Sequence, residues 1–129
     1  MNRIIKFRVW DKKYKYFVNL NDGFYNWDLS LNSGTVKMSQ NCEDGKFGEQ
    51  DVILQQFTGL KDKNNKEIYE GDILFCVYRE INKNCIVKFN EGSFIVKDGG
   101  LNRKLFEFLK NNDVEVISNI FKNPEFLKI

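Results

Sequence analysis

The alternation of apolar and polar residues along this chain predicts β-strands joined by short polar turns. In the first segment Ile5, Phe7 and Val9 fall on one face of an extended strand. A second run with a period of two begins at Tyr14, after the polar residues 11–13. Residues 3–20 are therefore predicted to form an antiparallel hairpin.

The second half of the chain repeats this pattern at short intervals. A polar stretch at 62–66 and a glycine-containing stretch at 90–92 are typical of tight turns, and residues 80–84 are interpreted as a hairpin loop. Gly71 precedes a strand in a way that favours a sharp bend into a barrel. The pattern therefore predicts a small β-barrel, with strands at residues 52–57, 73–78, 85–89, 93–96 and 114–121.

Two segments depart from the strand pattern. Leu101, Leu105, Phe108 and Leu109 recur at helical spacing, and two asparagines follow at 111–112, so a short amphipathic helix is predicted over residues 101–110. Residues 21–50 break into short apolar pieces that fix no clear architecture. The whole is predicted to be one domain of 129 residues, with a β-rich region at 1–50 and the barrel at 51–129.

Composition and cysteine usage favour a cytoplasmic domain. Aromatic residues make up 15% of the chain, which is enough to build a β-rich core. No apolar run approaches the roughly 18 residues that a membrane helix needs, and no signal-peptide pattern opens the sequence. The three cysteines have no C-x-x-C spacing, so a disulfide framework or zinc site is not predicted and a reducing compartment is favoured.

Candidate catalytic chemistry is sparse. The chain has no histidine, and no serine or cysteine lies in a nucleophile motif. Asp62, Glu67, Glu70 and Asp72 could hold a divalent cation or act as acid and base, or they could belong to a solvated turn capped by Asp62. The second interpretation is favoured, so the protein is predicted to be no enzyme and to use no cofactor, metal or small-molecule substrate.

The first hairpin is strongly basic although the formal net charge is only +2. Its cations and one tryptophan could grip phosphates and stack on a base, as in small nucleic-acid-binding barrels. Alternatively, the lysines protect a sheet edge and the tryptophan covers the core. The candidate nucleic-acid-binding residues are Lys6, Arg8, Trp10, Lys12, Lys13 and Lys15.

Apolar residues at the C-terminus suggest a different partner. Phe121, Phe126, Leu127 and Ile129 could form an exposed patch for another protein or a second copy of the chain. They could equally lie over the end of the barrel. A non-enzymatic module that binds a protein or itself is the leading hypothesis, and nucleic-acid binding through the basic hairpin is the alternative.

Three motifs give the chain a family resemblance. They are KFRVWDK at 6–12, TGLKDKNNKEIYEGDI at 58–73 and EVISNIFKNPE at 115–125. With these, the chain resembles the YopX family of bacteriophage and prophage proteins. The resemblance implies an SH3-type barrel in the second half and a phage or prophage context. It implies no catalytic or binding residues, because the family has no assigned activity.

Overall fold

The computed structural model describes residues 4–12, 14–17, 25–30, 35–40, 52–78, 81–98 and 101–127. The chain divides into two compact units. We call Phe7–Gln55 the N-terminal unit, and Met1–Lys6 with Gln56–Ile129 the C-terminal unit. The two units are described separately below.

The described residues form a mainly β structure, as predicted. The strands are β1 (Phe7–Asp11), β2 (Tyr16–Phe17), β3 (Tyr25–Ser30), β4 (Thr35–Gln40), β5 (Val52–Lys61), β6 (Glu67–Tyr69), β7 (Asp72–Tyr78), β8 (Ile81–Asn90), β9 (Ser93–Asp98), β10 (Leu101–Lys104) and β11 (Asp113–Asn119). The helix α1 spans Leu105–Asn111, and a 3-10 turn spans Pro124–Leu127. In this part of the chain no helix is long and apolar enough to cross a membrane.

The described residues of the N-terminal unit include two antiparallel strand pairs. Strands β1 and β2 pair antiparallel, with Trp10 opposite Phe17, which confirms the predicted hairpin over its described residues. Strands β3 and β4 pair from Tyr25 opposite Gln40 to Ser30 opposite Thr35. The region 21–50, where the sequence pattern predicts no clear architecture, therefore contains an antiparallel strand pair. Strand β5 begins in this unit, beside β1.

The C-terminal unit is built on a five-stranded antiparallel sheet with the order β10-β9-β8-β7-β11. Strands β7 to β10 follow one another as a meander, and α1 connects β10 to β11, which returns beside β7. This order is consistent with the SH3-type barrel that the resemblance implies. The tight turn between β8 and β9 uses Glu91 and Gly92, whose φ angles of 50° and 82° suit a hairpin turn of primed type.

One face of this sheet carries the main core. Residues directly opposite each other share a face, so Leu74 and Cys85 point to the same side as Val87 and Val96. Helix α1 contributes Leu105 to the same cluster. The buried members are Ile68, Leu74, Cys76, Cys85, Val87, Val96, Leu105, Phe108, Val114 and Val116.

Two local predictions were wrong. The helix begins at Leu105 rather than Leu101, because residues 101–104 pair with β9 as strand β10. Leu101 fits a helical spacing by sequence alone but is 58% exposed on that strand. Residues 81–84 belong to β8 rather than to a loop, because Ile81 pairs with Tyr78.

Candidate functional site

The segment 58–73, which carries the central sequence motif, begins with a β-bulge. Phe57 and Lys61 are four positions apart on β5, whereas their partners Tyr69 and Glu67 are two positions apart on β6. Gly59 lies in the bulge with φ +85°, a conformation that glycine adopts without strain. The Thr58 hydroxyl donates to the Ile68 carbonyl at 2.7 Å. The motif's first residues therefore bend a strand.

Asp62 accepts three backbone hydrogen bonds. Its Oδ1 accepts hydrogen bonds from the backbone N–H groups of Asn64 and Lys66, each at 2.9 Å. Its Oδ2 accepts from the backbone N–H of Val116, also at 2.9 Å. Lys63 N–H donates to the carbonyl of Val114, so the turn covers the outer edge of β11. Asp62 thus caps the turn, as the favoured interpretation predicts, and also ties it to β11.

The other carboxylates of the motif face separate partners. The Glu67 carboxylate pairs with the ammonium of Lys6. Glu70 Oε1 accepts from Gln56 N–H at 2.8 Å, and Asp72 Oδ2 accepts from Tyr69 N–H at 2.8 Å. Among the described residues, no three His, Cys, Asp or Glu side chains lie close enough together to hold a metal ion. Three of the four motif carboxylates thus accept hydrogen bonds from the backbone, and Glu67 pairs with a lysine.

The six predicted nucleic-acid-binding residues fall into different surroundings. Lys6 pairs with Glu67 and lies over the Phe57 ring, 5.0 Å from its centroid. The hydrogen bond to Glu67 is the largest influence on the pKa of Lys6 and raises it above its ordinary value. This ammonium is already engaged within the protein.

Within the N-terminal unit, Arg8 and Trp10 gather around Phe17. Arg8 Nε donates to Gln55 Oε1 at 2.8 Å, and its guanidinium lies 4.3 Å from the Phe17 ring centroid. Trp10 meets Phe17 edge-on at 4.9 Å and is only 2% exposed. Burial of Trp10 is what the core-covering alternative expects.

The remaining cations lie in or near the turn of this hairpin. Lys12 and Lys15 are exposed, and Lys13 lies outside the described residues. Sequence reasoning missed the exposed rings beside them, since Tyr14 is 61% and Tyr16 40% exposed. The sequence signal for this exposure is that both tyrosines lie in the short second strand segment of the hairpin. A short strand at a hairpin tip buries few of its side chains. We call Lys12, Tyr14, Lys15 and Tyr16 the hairpin surface.

The C-terminal segment is held by a polar network. Asn119 Oδ1 accepts from the N–H groups of Phe121 and Lys122, each at 2.9 Å. Ser118 Oγ lies 2.6 Å from Asn123 Oδ1, and Asn123 Nδ2 donates to Glu125 Oε1. These residues belong to the closing motif at 115–125. The motif therefore builds a defined turn after β11.

This turn presents apolar side chains. Phe121 is 37% and Phe126 39% exposed, and Leu127 is half-buried beside them in sequence. Asn84 Nδ2 donates to the Phe126 carbonyl at 2.8 Å, which fastens the segment to β8. Ile129 lies outside the described residues. We call Phe121, Phe126 and Leu127 the C-terminal patch.

Two of the three cysteines pack in the core of the C-terminal unit. Cys76 and Cys85 are buried in the core with their Sγ atoms 3.8 Å apart. Cys42 lies outside the described residues.

Comparison with known proteins assigns the family. The model of the YopX protein family matches residues 6–128. The chain belongs to the YopX family. The crystal structure of protein yopX from Bacillus subtilis has a TM-score of 0.65 and 21% identity, covering 95% of this chain and 97% of that one. Protein EF1440 from Enterococcus faecalis has a TM-score of 0.61 and 26% identity, covering 98% and 100%.

The family assignment confirms the resemblance drawn from the three motifs. No curated protein matches the sequence. The YopX family is uncharacterised, so membership establishes the fold and leaves the activity to be inferred from the residues themselves.

Proposed function

We propose that this YopX-family protein is a non-enzymatic interaction module that binds a polypeptide through the C-terminal patch. The single observation that carries this proposal is the network around Asn119 and Asn123, which fixes the turn and leaves Phe121 and Phe126 partly exposed. A patch that is already ordered loses little conformational entropy on binding. Aromatic side chains are also the residues most enriched in protein interfaces.

A second copy of the chain is the partner that the charge favours. The net charge of +2 gives weak repulsion between copies, whereas a large net charge keeps proteins apart. The motif carboxylates support the non-enzymatic part of the proposal, since Asp62, Glu70 and Asp72 accept backbone hydrogen bonds. The resemblance to phage and prophage proteins supports a role in the cytoplasm of an infected or lysogenic bacterium.

Substitution of the two phenylalanines tests self-association. Phe121→Ser and Phe126→Ser should each weaken the dimer about tenfold, because loss of a central aromatic contact commonly costs more than about 1 kcal/mol. Light scattering coupled to size exclusion, over a broad range of protein concentration, measures the effect. Phe106→Ser is the matched control, because Phe106 is 56% exposed on α1 and lies outside the patch. A wild-type protein that stays monomeric throughout would overturn self-association.

Nucleic-acid binding is the second candidate, and the hairpin surface is the observation that favours it. It places two exposed tyrosine rings beside two exposed lysines at one hairpin tip. Single-strand-binding proteins combine such rings, which stack on bases, with cations that track phosphates. Trp10, predicted as the stacking residue, is buried, so Tyr14 and Tyr16 replace it in this proposal.

Fluorescence anisotropy of labelled oligonucleotides tests the hairpin surface. Tyr14→Ala should weaken single-strand binding about tenfold, because stacking contributes roughly 1–3 kcal/mol per base. The double variant Lys12→Ala/Lys15→Ala should make binding less sensitive to salt between about 50 and 200 mM. Lys61→Ala/Lys63→Ala removes the same charge from exposed lysines elsewhere and serves as control. Equal losses in both double variants would contradict a hairpin site.

A further inference from the structure

A second cationic surface lies on the five-stranded sheet, where no sequence motif drew attention to it. Strand pairing places Lys88 and Lys104 opposite Ile95, on its two sides. Directly opposed residues point to the same face, so both lysines share the face of Ile95. Lys97, two residues along β9, points to that face as well. We call Lys88, Lys97 and Lys104 the sheet lysines, and all three are exposed.

The spacing of the sheet lysines follows from the register. Lys97 is a diagonal neighbour of both Lys88 and Lys104, which places its Cα about 7–8 Å from each. Lys88 and Lys104 are two strands apart, which is about 10 Å. Three long, mobile ammonium groups thus cover a patch small enough to contact successive phosphates of one nucleic-acid backbone.

The like charges of the sheet lysines repel one another, with the modest strength expected of exposed groups about 7–10 Å apart. Among the described residues, none of the sheet lysines has an ion-pair partner, and neighbouring like charges on one sheet face repel. The core cluster lies on the opposite face of the sheet, so the sheet lysines have no part in it. Contact with solvent does not by itself require lysines on this face. Neutral polar side chains such as Asn102, which lies opposite Lys97, would serve equally well. Clustered cations therefore suggest an anionic partner.

The chemistry of the face narrows the class of partner. Ile86 and Ile95, the apolar residues paired with the sheet lysines, are buried at 8% and 9% exposure, so neither is available to insert into a lipid bilayer. The aromatic pair Phe89 and Phe94 points to the opposite face, so bases would find no stacking platform here. A surface that offers cations, but neither stacking rings nor apolar groups for insertion, suits binding to a phosphate backbone without sequence preference.

We propose that the sheet lysines form a binding surface for the phosphate backbone of a nucleic acid. The surface lies in the C-terminal unit, and it requires neither the C-terminal patch nor the hairpin surface. Three phosphate contacts predict a slope of about −2.7 for log affinity against log salt on duplex DNA, from roughly −0.9 per contact. Raising the salt fourfold should then weaken this contribution about 40-fold.

The test is the triple variant Lys88→Gln/Lys97→Gln/Lys104→Gln, measured by anisotropy with a labelled DNA duplex over a salt series. We expect affinity at low salt to fall at least tenfold and the salt slope to shrink by about 2.7. The triple arginine variant keeps the charges and should keep binding. Lys61→Gln/Lys63→Gln/Lys66→Gln is the matched control, since these exposed lysines carry the same charge in the same unit.

Specific outcomes would overturn the proposal. Equal losses of DNA affinity in the two glutamine variants would mean that DNA is attracted by the overall charge of the protein. Absence of salt-sensitive DNA binding in the wild type would show that the sheet lysines are not a binding site. Polyglutamate that competes as well as DNA would identify an acidic polypeptide as the partner instead. Amide chemical shifts on adding DNA provide an independent readout that does not depend on substitution. They should move at the sheet lysines and remain in place at Lys61, Lys63 and Lys66.

Discussion

Asp62→Ala is expected to destabilise the protein by about 3–5 kcal/mol. The substitution removes one carboxylate that accepts three backbone hydrogen bonds, and bonds to charged groups contribute roughly 1.5–3 kcal/mol each. It also leaves the N–H of Val116 without its acceptor at a position where the valine is 7% exposed. Typical domains are stable by about 5–15 kcal/mol, so this is a large fraction of the total.

Urea unfolding followed by circular dichroism measures the effect as a shift of the midpoint at constant slope. Asp62→Asn should lose less, because its amide oxygen can still accept from Asn64 and Lys66 while its NH₂ group faces the donor of Val116. Asp113→Ala is the control, because Asp113 is exposed on β11 and should stay within about 0.5 kcal/mol of wild type. If Asp62→Ala behaves like this control, the capping role is wrong.

The role of Asp62 illustrates what local sequence patterns predict and what they miss. Its position at the start of a polar turn predicts the capping bonds to Asn64 and Lys66, which are two and four residues away. The bond to Val116 spans 54 residues, and no spacing rule connects the two positions. The two local hydrogen bonds of Asp62 can therefore be predicted from the sequence, whereas the bond to Val116 depends on how the sheet is assembled.

The same distinction explains the errors in the strands and helix. Leu101 fits both a helical and an extended pattern, and pairing of residues 101–104 with β9 decides for the strand. In β3 and β4, short apolar pieces give weak signals separately, and their antiparallel pairing becomes visible only in the structure. Where the local pattern fits both a helix and a strand, long-range strand pairing determines which of the two forms.

The candidate surfaces depend even more on assembly. The sheet lysines lie on three strands, at 88, 97 and 104, and only the register brings them to one face. The apolar residues of the C-terminal patch are close in sequence, and an exposed patch is one of the two alternatives that the sequence suggests for them. Its polar support was not predicted, because the Asn119 and Asn123 bonds depend on the turn geometry. Closeness in sequence therefore indicates which residues could make up a surface, but it does not indicate how those residues are positioned.

Trp10→Ala should separate the two interpretations of that residue. Trp10 is 2% exposed and meets Phe17 edge-on, so truncation should cost about 3–5 kcal/mol, the usual range for a buried tryptophan. Circular dichroism during urea unfolding measures the loss. Trp10→Phe keeps a buried ring and should cost less, which provides a folded variant for binding assays.

The binding assay completes the test of Trp10. In folded Trp10→Phe, affinity for single-stranded DNA should equal that of wild type, because a ring buried in the protein cannot stack on a base. Tyr14→Ala is the opposite control, since removing this exposed ring should leave stability within about 0.5 kcal/mol and weaken any stacking. A Trp10 substitution that lowers affinity without lowering stability would instead place the residue in the nucleic-acid site, as the basic-hairpin interpretation first suggested.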